Sequence, residues 1–262
     1  MDLGLTGRRA LVLGATRGLG RGIAEALAAE GAIIAITGRK TADATAVAAE
    51  IASQHGATVH GLQFDAGDAA SASAVIDAAK NALGDVDVLV LNGGGPPPGP
   101  ISAVTAETWQ QQFQAQFLSF VQITNAFLPG MRGRRWGRIL VSSSSGIVQP
   151  IPNIGISNSL RSSVLGWAKT LSTEVARDGV TVNTLLPGRI QTGRVDQIDA
   201  ANAERSGQTI EQVKAASIAS IPAGRVGTAE EYGAAAAFLL SDKASYITGS
   251  TVRVDGGQIR SV

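Results

Sequence analysis

The 262-residue sequence contains no cysteine, which excludes disulfides, thiolate catalysis and cysteine-ligated metal. Histidine is nearly as scarce. His55 and His60, the only two, fall at the end of one helical pattern and in the strand pattern that follows, with no carboxylate pair nearby. A zinc site or a Ser-His-Asp triad therefore finds no support, and no metal is expected. No apolar run is long enough to span a bilayer, and the N-terminal MDLGLTGRRA lacks the apolar core of a signal peptide. These absences predict a soluble, cytoplasmic protein without a membrane partner. An excess of charge is missing too: the net charge of +1 points to neither nucleic acid nor an anionic surface.

What is present is apolar residue, 44% of the chain, enough for a sizeable core in one large α/β domain or two small ones. Apolar runs alternate with helical patterns throughout. Strands are predicted at 10–13, 33–37, 59–64, 86–91, 138–142, 180–186 and 251–254, and helices at 18–30, 41–54, 69–83, 105–130, 155–177 and 228–241. The strands lack strict alternation, as expected when both faces are covered. Strand alternating with helix predicts a doubly wound parallel sheet of seven strands in a three-layer α/β/α sandwich. Gly31, Gly56, Gly84, Gly137 and Gly179 stand just before strands, where helix C-caps belong. No Pro/Ser linker interrupts the pattern, so residues 1–262 read as a single domain.

The organising stretch is ALVLGATRGLG, residues 10–20. A strand meets Gly14, Gly18 and Gly20, and an alanine-rich helix begins at once. Strand, glycine turn and helix present free backbone N–H groups and a positive helix end to a phosphate. Gly14 permits the tight turn, Gly18 a close approach to a pyrophosphate, and Gly20 close packing of helix on strand. The spacing is GxxxGxG; a plain strand-to-helix turn also uses glycine. After the second strand the chain reads Thr37-Gly38-Arg39-Lys40, without the acid that would hold an unphosphorylated ribose. Arg39 there, with Arg17 in the glycine loop, suits a ribose 2′-phosphate, so NADP(H) is favoured over NAD(H). Asp65 ends the third strand, where it can accept from an adenine amino group; equally, Asp65 or Asp68 serves only to cap the next helix. The fourth strand ends at Asn92-Gly93-Gly94-Gly95. The following Pro96-Pro97-Pro98-Gly99-Pro100 is a stiff extended exit, either a rigid surface loop or a substrate wall.

At these residues the chain resembles the classical short-chain dehydrogenase/reductase family, over nearly its whole length. The resemblance rests on Gly14-x-x-x-Gly18-x-Gly20, on Asn92-Gly93-Gly94, on Gly137-Arg138-Ile139 leading to a serine run, on Pro187-Gly188-Arg189-Ile190-Gln191-Thr192, and on the closing Val254-Asp255-Gly256-Gly257. Within the family the chain looks most like the 3-oxoacyl-carrier-protein reductase-like members. The resemblance implies a Rossmann-like sheet of seven strands and a nicotinamide cofactor held by Gly14, Thr16, Arg17, Gly18, Leu19, Gly20, Arg39, Asp65, Ala66, Asn92, Gly93, Gly94, Pro187, Gly188, Ile190 and Thr192. Ile190 and Thr192 would lie near the carboxamide. It also implies a homodimer or homotetramer paired through the helices at 105–130 and 155–177.

The family donates a proton to the nascent alkoxide from a tyrosine whose pKa is lowered by a lysine four residues on. Here that motif is replaced by Ser157-Asn158-Ser159-Leu160-Arg161, its register fixed by the downstream Gly166-x-x-Lys169-x-Leu171. Ser157 stands for the tyrosine and Arg161 for the lysine. The carbonyl-polarising serine maps to Ser144, with Ser143 its neighbour, and the relay asparagine to Gln116, seven residues after Trp109. The only tyrosines, Tyr232 and Tyr246, lie far along the chain. A serine hydroxyl is a far weaker acid than a phenol, and arginine keeps its proton. Three readings follow. An NADP(H)-dependent carbonyl/alcohol oxidoreductase works with Ser144, Ser157 and Arg161 as hydrogen-bond donors and water as proton source. An NADP(H)-binding sensor or inactive homologue does no turnover. In the third, Arg161 serves an anionic substrate. More plainly, Ser157 and Arg161 cap or pair locally. Residues 189–226 read as a substrate lid or as a solvated loop whose mixed charges (Arg194, Asp196, Asp199, Glu204, Arg205) select no ligand.

Overall fold

A computed structural model describes residues 1–261; residue 262, the last of the expected single domain, lies outside the described residues. Seven strands form one sheet: β1 Arg9–Val12, β2 Ile33–Gly38, β3 Val59–Gln63, β4 Val88–Leu91, β5 Gly137–Ser142, β6 Val180–Pro187 and β7 Thr251–Val254. Their order is β3-β2-β1-β4-β5-β6-β7, with every pair parallel. From β1 the chain winds outward to β3, then returns to place β4 on the other side of β1. The carboxyl ends of β1 and β4 therefore flank the switch point, where doubly wound sheets bind ligands.

Both faces of the sheet are covered, which explains the unbroken apolar strands. Successive residues of one strand feed opposite cores. Leu11, Leu89, Ile139 and Val182 pack with α3 (Ala69–Leu83), α5 (Ser119–Arg134) and α6 (Gly155–Val175). Val12, Val90, Leu140 and Leu185 pack with α1 (Gly18–Ala29), α2 (Thr41–His55) and α9 (Ala229–Leu239).

Three expectations need correction. The helix predicted at 105–130 is divided: α4 (Ala106–Phe113) runs into a π-helical turn, Gln114–Leu118, and then into α5. α5 passes through Pro129 and ends at Arg135, which takes the left-handed conformation itself. Gly137 is thus no cap. It opens β5, where a side chain would meet Met131. The polar stretch 194–208, outside the predicted helices, is mostly α7 (Gly193–Ser206), followed by α8 (Ile210–Ala219) with a capping box from Thr209 and Gln212. No helix among the described residues is long and apolar enough to cross a membrane.

At the opposite end of the sheet from the switch point, Asp87 ties three elements together. It accepts from Arg9 Nε and Nη2 at 2.8 Å each, from the Arg9 backbone N–H at 3.0 Å, and pairs with Arg134 Nε at 3.1 Å. Asp87 is only 5% exposed. Burial pushes its carboxyl up, but the Arg9 bonds and the charge of Arg134 outweigh that and hold it below the usual range. A carboxyl depressed in the fold contributes stability that is complete above the ordinary value of about 4 and fades as pH falls through the depressed one. Asp87→Asn is therefore expected to cost about 3 kcal/mol at pH 7 in urea unfolding. The gap to the parent should narrow below about pH 4.

Candidate active site

Everything at the switch point starts from the turn at Gly14. β1 delivers the chain there with φ +59°, a left-handed conformation that suits glycine. The Gly14 N–H donates to Thr37 Oγ1 (2.9 Å), and the Ala15 N–H to the Thr37 carbonyl (2.9 Å). From the other side Asn92 Nδ2 donates to the carbonyls of Leu13 (3.1 Å) and Gly14 (3.0 Å). A Cβ on Gly20 would collide with the Gly14 carbonyl and the Asn92 amide, so only glycine lets α1 begin this close to the strand. No side chain caps α1: its N-cap, Arg17, is extended and makes no capping bond. The backbone donors of Gly18, Leu19 and Gly20 are left for an anion.

Thr16 lies against Gly38, so the chain positions of Arg17 and Arg39, one residue on in each loop, are adjacent. Both arginines are exposed, and neither has a carboxylate within 4 Å among the described residues. The helix after β3 is capped by Asp68, which accepts from the Ala70 N–H (3.0 Å). The Asp65 carboxylate accepts only from the N–H of its near neighbour Gly67 (3.0 Å) and Asp65 stays exposed, while Ala66 packs on the core.

The second segment at this edge is Pro187–Thr192. The Gly188 N–H donates to the Val254 carbonyl (2.9 Å), and Gly188 lies against Asp255 with no space for a side chain. The Gln191 N–H donates to the Gly227 carbonyl, and the Gly227 N–H to the Arg189 carbonyl, both at 2.9 Å. Ile190 is buried, and the Thr192 methyl comes within 3.4 Å of where a Gly18 Cβ would stand. The glycine loop and this turn therefore meet. An ion pair the sequence did not reveal anchors it: Arg189 binds Asp199 of α7, and Asp199 is fully buried. The reading of Asp199 as one of several solvated charges is thereby corrected.

The chemistry-bearing residues converge on the ends of β4 and β5. Ser157 and Arg161 sit one turn apart on α6, facing the same way. Arg161 donates from Nη1 to the Ser142 carbonyl (3.1 Å) and from Nη2 to the Gly93 carbonyl (3.3 Å), stapling the two strand ends. Its Nε is sealed and without a partner. Burial, chiefly, and the charge of Arg194 in smaller measure pull the guanidinium below its usual range; it remains charged. Ser157 is buried, and its hydroxyl has no partner among the described residues. Ser144 Oγ accepts from the Gly146 N–H (3.1 Å) and opens a short 3-10 turn, whereas Ser143 Oγ is sealed and unpartnered. Gln116, on the π-helical turn, donates to the Gly94 carbonyl (2.6 Å).

The two tyrosines stand in opposite surroundings. Tyr246 is fully exposed. Tyr232 is fully buried, donating to the Leu185 carbonyl (3.1 Å) with Ser142 Oγ at 3.0 Å. Burial pushes its phenol far above the ordinary range, and the Ser142 bond offsets this only in part. Sequence spacing alone did not show that Thr37, Asp199 and Tyr232 buttress the site, because their partners lie far along the chain or on another element.

Comparison with known proteins agrees with this geometry. A family profile described as enoyl-(acyl carrier protein) reductase matches residues 14–258. The 3-oxoacyl-[acyl-carrier-protein] reductase FabG of Haemophilus influenzae is 36% identical over 255 residues, covering 97% of this chain and 98% of that protein. Its Escherichia coli counterpart is 36% identical over 253 residues, covering 96% and 97%. Among solved structures, L-sorbose reductase from Gluconobacter frateurii complexed with NADPH and L-sorbose superposes with a TM-score of 0.94 at 29% identity, covering all of both chains. A 3-oxoacyl (acyl-carrier-protein) reductase from Agrobacterium tumefaciens with NADP bound gives 0.87 at 32%, covering 97% and 95%.

Removing the amide that closes the Gly14 turn leaves two strand-end carbonyls without their donor. Asn92→Ala is expected to cost about 1–2 kcal/mol in denaturant unfolding. Dinucleotide affinity, measured by calorimetry, should fall with it as the turn loosens.

Proposed function

Because the chain belongs to the short-chain dehydrogenase/reductase family, we propose that it is an NADP(H)-dependent oxidoreductase that interconverts a carbonyl and an alcohol without the family's tyrosine. One observation carries the reading. Arg161 and the free hydroxyl of Ser157 share one face of α6, and Arg161 is fixed at the ends of β4 and β5. The cofactor, when bound, supplies or accepts the hydride.

The residues present fit such a cofactor: α1 begins without a side-chain cap, and two arginines without carboxylate partners stand beside it. In this proposal Gly14, Thr16, Gly18, Leu19 and Gly20 hold the diphosphate. Arg17 and Arg39 take the 2′-phosphate, and Asp65 and Ala66 the adenine. Gly93 and Gly94 floor the ribose. Asn92 acts by shaping the Gly14 turn, and Pro187, Gly188, Ile190 and Thr192 orient the nicotinamide. Ser144 and Ser157 donate to the substrate oxygen. Arg161 stabilises the developing oxyanion from a position that needs no reorganisation. Neither a serine nor an arginine releases a proton near neutrality, so water delivers it. Gln116, at the proton-relay position, also holds the Gly94 carbonyl.

Residues 189–226 act as the lid, with α7 clasped to the cofactor turn by Asp199. α4, α5 and α6 pair copies into a homodimer or homotetramer; the exposure of Phe113 and Leu118 on this face supports that assignment. The proposal carries a cytoplasmic location with it.

Calorimetric titration should give NADPH at least about tenfold tighter binding than NADH, and Arg39→Ala should erase the difference. Tighter binding of NADH would overturn the cofactor choice. In NADPH oxidation with a panel of ketones and aldehydes, Arg161→Ala should lower kcat by about 100-fold. Tyr232→Phe should leave kcat within about twofold, at some loss of stability. With water as the proton source, kcat/KM should stay level from about pH 6 to 9, since none of these side chains ordinarily titrates there. Turnover untouched by Arg161→Ala would remove that residue from the mechanism.

A further inference from the structure

We infer that the carbonyl compound turned over here itself carries a carboxylate, held between Arg161 and Arg194 at the Gly95 end of the Gly93-Gly94-Gly95 ribbon, beside the ribose that Gly93 and Gly94 floor. The inference rests on the oxidoreductase reading and names its substrate class.

Three consecutive glycines leave β4, and a different side chain reaches each. Arg161 Nη2 donates to the Gly93 carbonyl, Gln116 to the Gly94 carbonyl, and Arg194 Nη2 lies 3.7 Å from where a Gly95 Cβ would stand. A Cβ on Gly94 would meet nothing within 4 Å, so the space over the middle of the ribbon is open. Two guanidinium groups thus flank an open strip of bare backbone.

Neither group has a counter-ion. Among the described residues Arg161 and Arg194 take part in no ion pair, although nine other arginine and lysine side chains do. Arg161 is the costlier case. Its partners are two neutral carbonyls, its Nε is sealed from water, and burial chiefly weakens its hold on the charge; the Tyr232 hydroxyl opposes that, and the like charge of Arg194 adds to it. A half-buried cation facing another cation is unfavourable unless an anion joins them. Each terminal nitrogen of Arg161 keeps one N–H beyond its carbonyl bond, so one can take a carboxylate oxygen while the other is left for the developing oxyanion. Arg194 sits on α7, in the segment read as the lid, and is exposed. It supplies the second charge from above, while Ser157, four residues before Arg161, remains for the carbonyl oxygen.

The test pairs each acid with its neutral ester. NADPH oxidation by the full-length protein is followed with a series of 2-oxo and 3-oxo acids, their methyl esters, and phosphate monoesters of hydroxyketones. The acids should be preferred in kcat/KM by about tenfold or more. Arg194→Gln should raise KM for the acids by about tenfold, leave the esters unchanged and leave the NADPH dissociation constant unchanged; Arg194→Lys should restore part of the loss. Equal or better turnover of the esters or phosphates overturns the proposal. So does an Arg194→Gln variant that weakens NADPH binding and affects acids and esters alike, which would assign Arg194 to the cofactor. If no carbonyl is turned over, the oxidoreductase reading fails separately. Binding of oxamate against oxamide to the NADPH-loaded protein, by calorimetry, then decides the anion site: oxamate alone binding supports it, and equal or absent binding overturns it.

Discussion

The Gly14 turn is closed from both neighbouring strands, and the rest of the site is referenced to it. Thr37 at the end of β2 takes its N–H, and Asn92 at the end of β4 gives to its carbonyl. Three strand ends are thereby locked at one height, and α1 can start only where Gly20 clears them. Unlike surface ion pairs, these bonds satisfy backbone groups at a partly buried corner, where an unmade bond costs more than the made one contributes. The orientation of α1, and with it the direction of its positive end, follows from this corner.

From the same corner the ribbon Gly93–Gly95 runs out to the chemistry. Arg161 ends in a fork that is partly occupied by the protein's own carbonyls. A lysine there would be a mobile point charge; the guanidinium is fixed in orientation by two bonds. That arrangement suits stabilisation of charge in place and does not suit tuning a neighbour's acidity. It is consistent with a serine, which has no accessible pKa to tune, at position 157.

Much of the fold was legible because its signals are local. Apolar runs with glycine at their ends gave the strands, and β1–α1 needed only eleven residues to read. Element ends were less so: Met131 decides where Gly137 lies, and Met131 is six residues back on a helix. The glycine loop and the Pro187–Thr192 turn could be picked out for the same local reason, being contiguous motifs, and the structure brings them together. The supports were not. Thr37, Asp199 and Tyr232 carry no pattern of their own, and each earns its place through a partner on a different element. Asp199 in particular looks like its solvated neighbours Asp196 and Glu204 until α7 folds it onto Arg189.

The wide turn at Gln114–Leu118 has a consequence for counting along this helix. In a regular α-helix, seven residues make almost two full revolutions, so Trp109 and Gln116 would project nearly in line. One residue absorbed by the π geometry rotates everything beyond it by roughly 100° against what precedes it. The rod is therefore two differently phased lengths spliced together, and Gln116 sits on the splice. A relative lacking that extra residue would present a different side of its helix to the glycine ribbon, even if every flanking letter were identical.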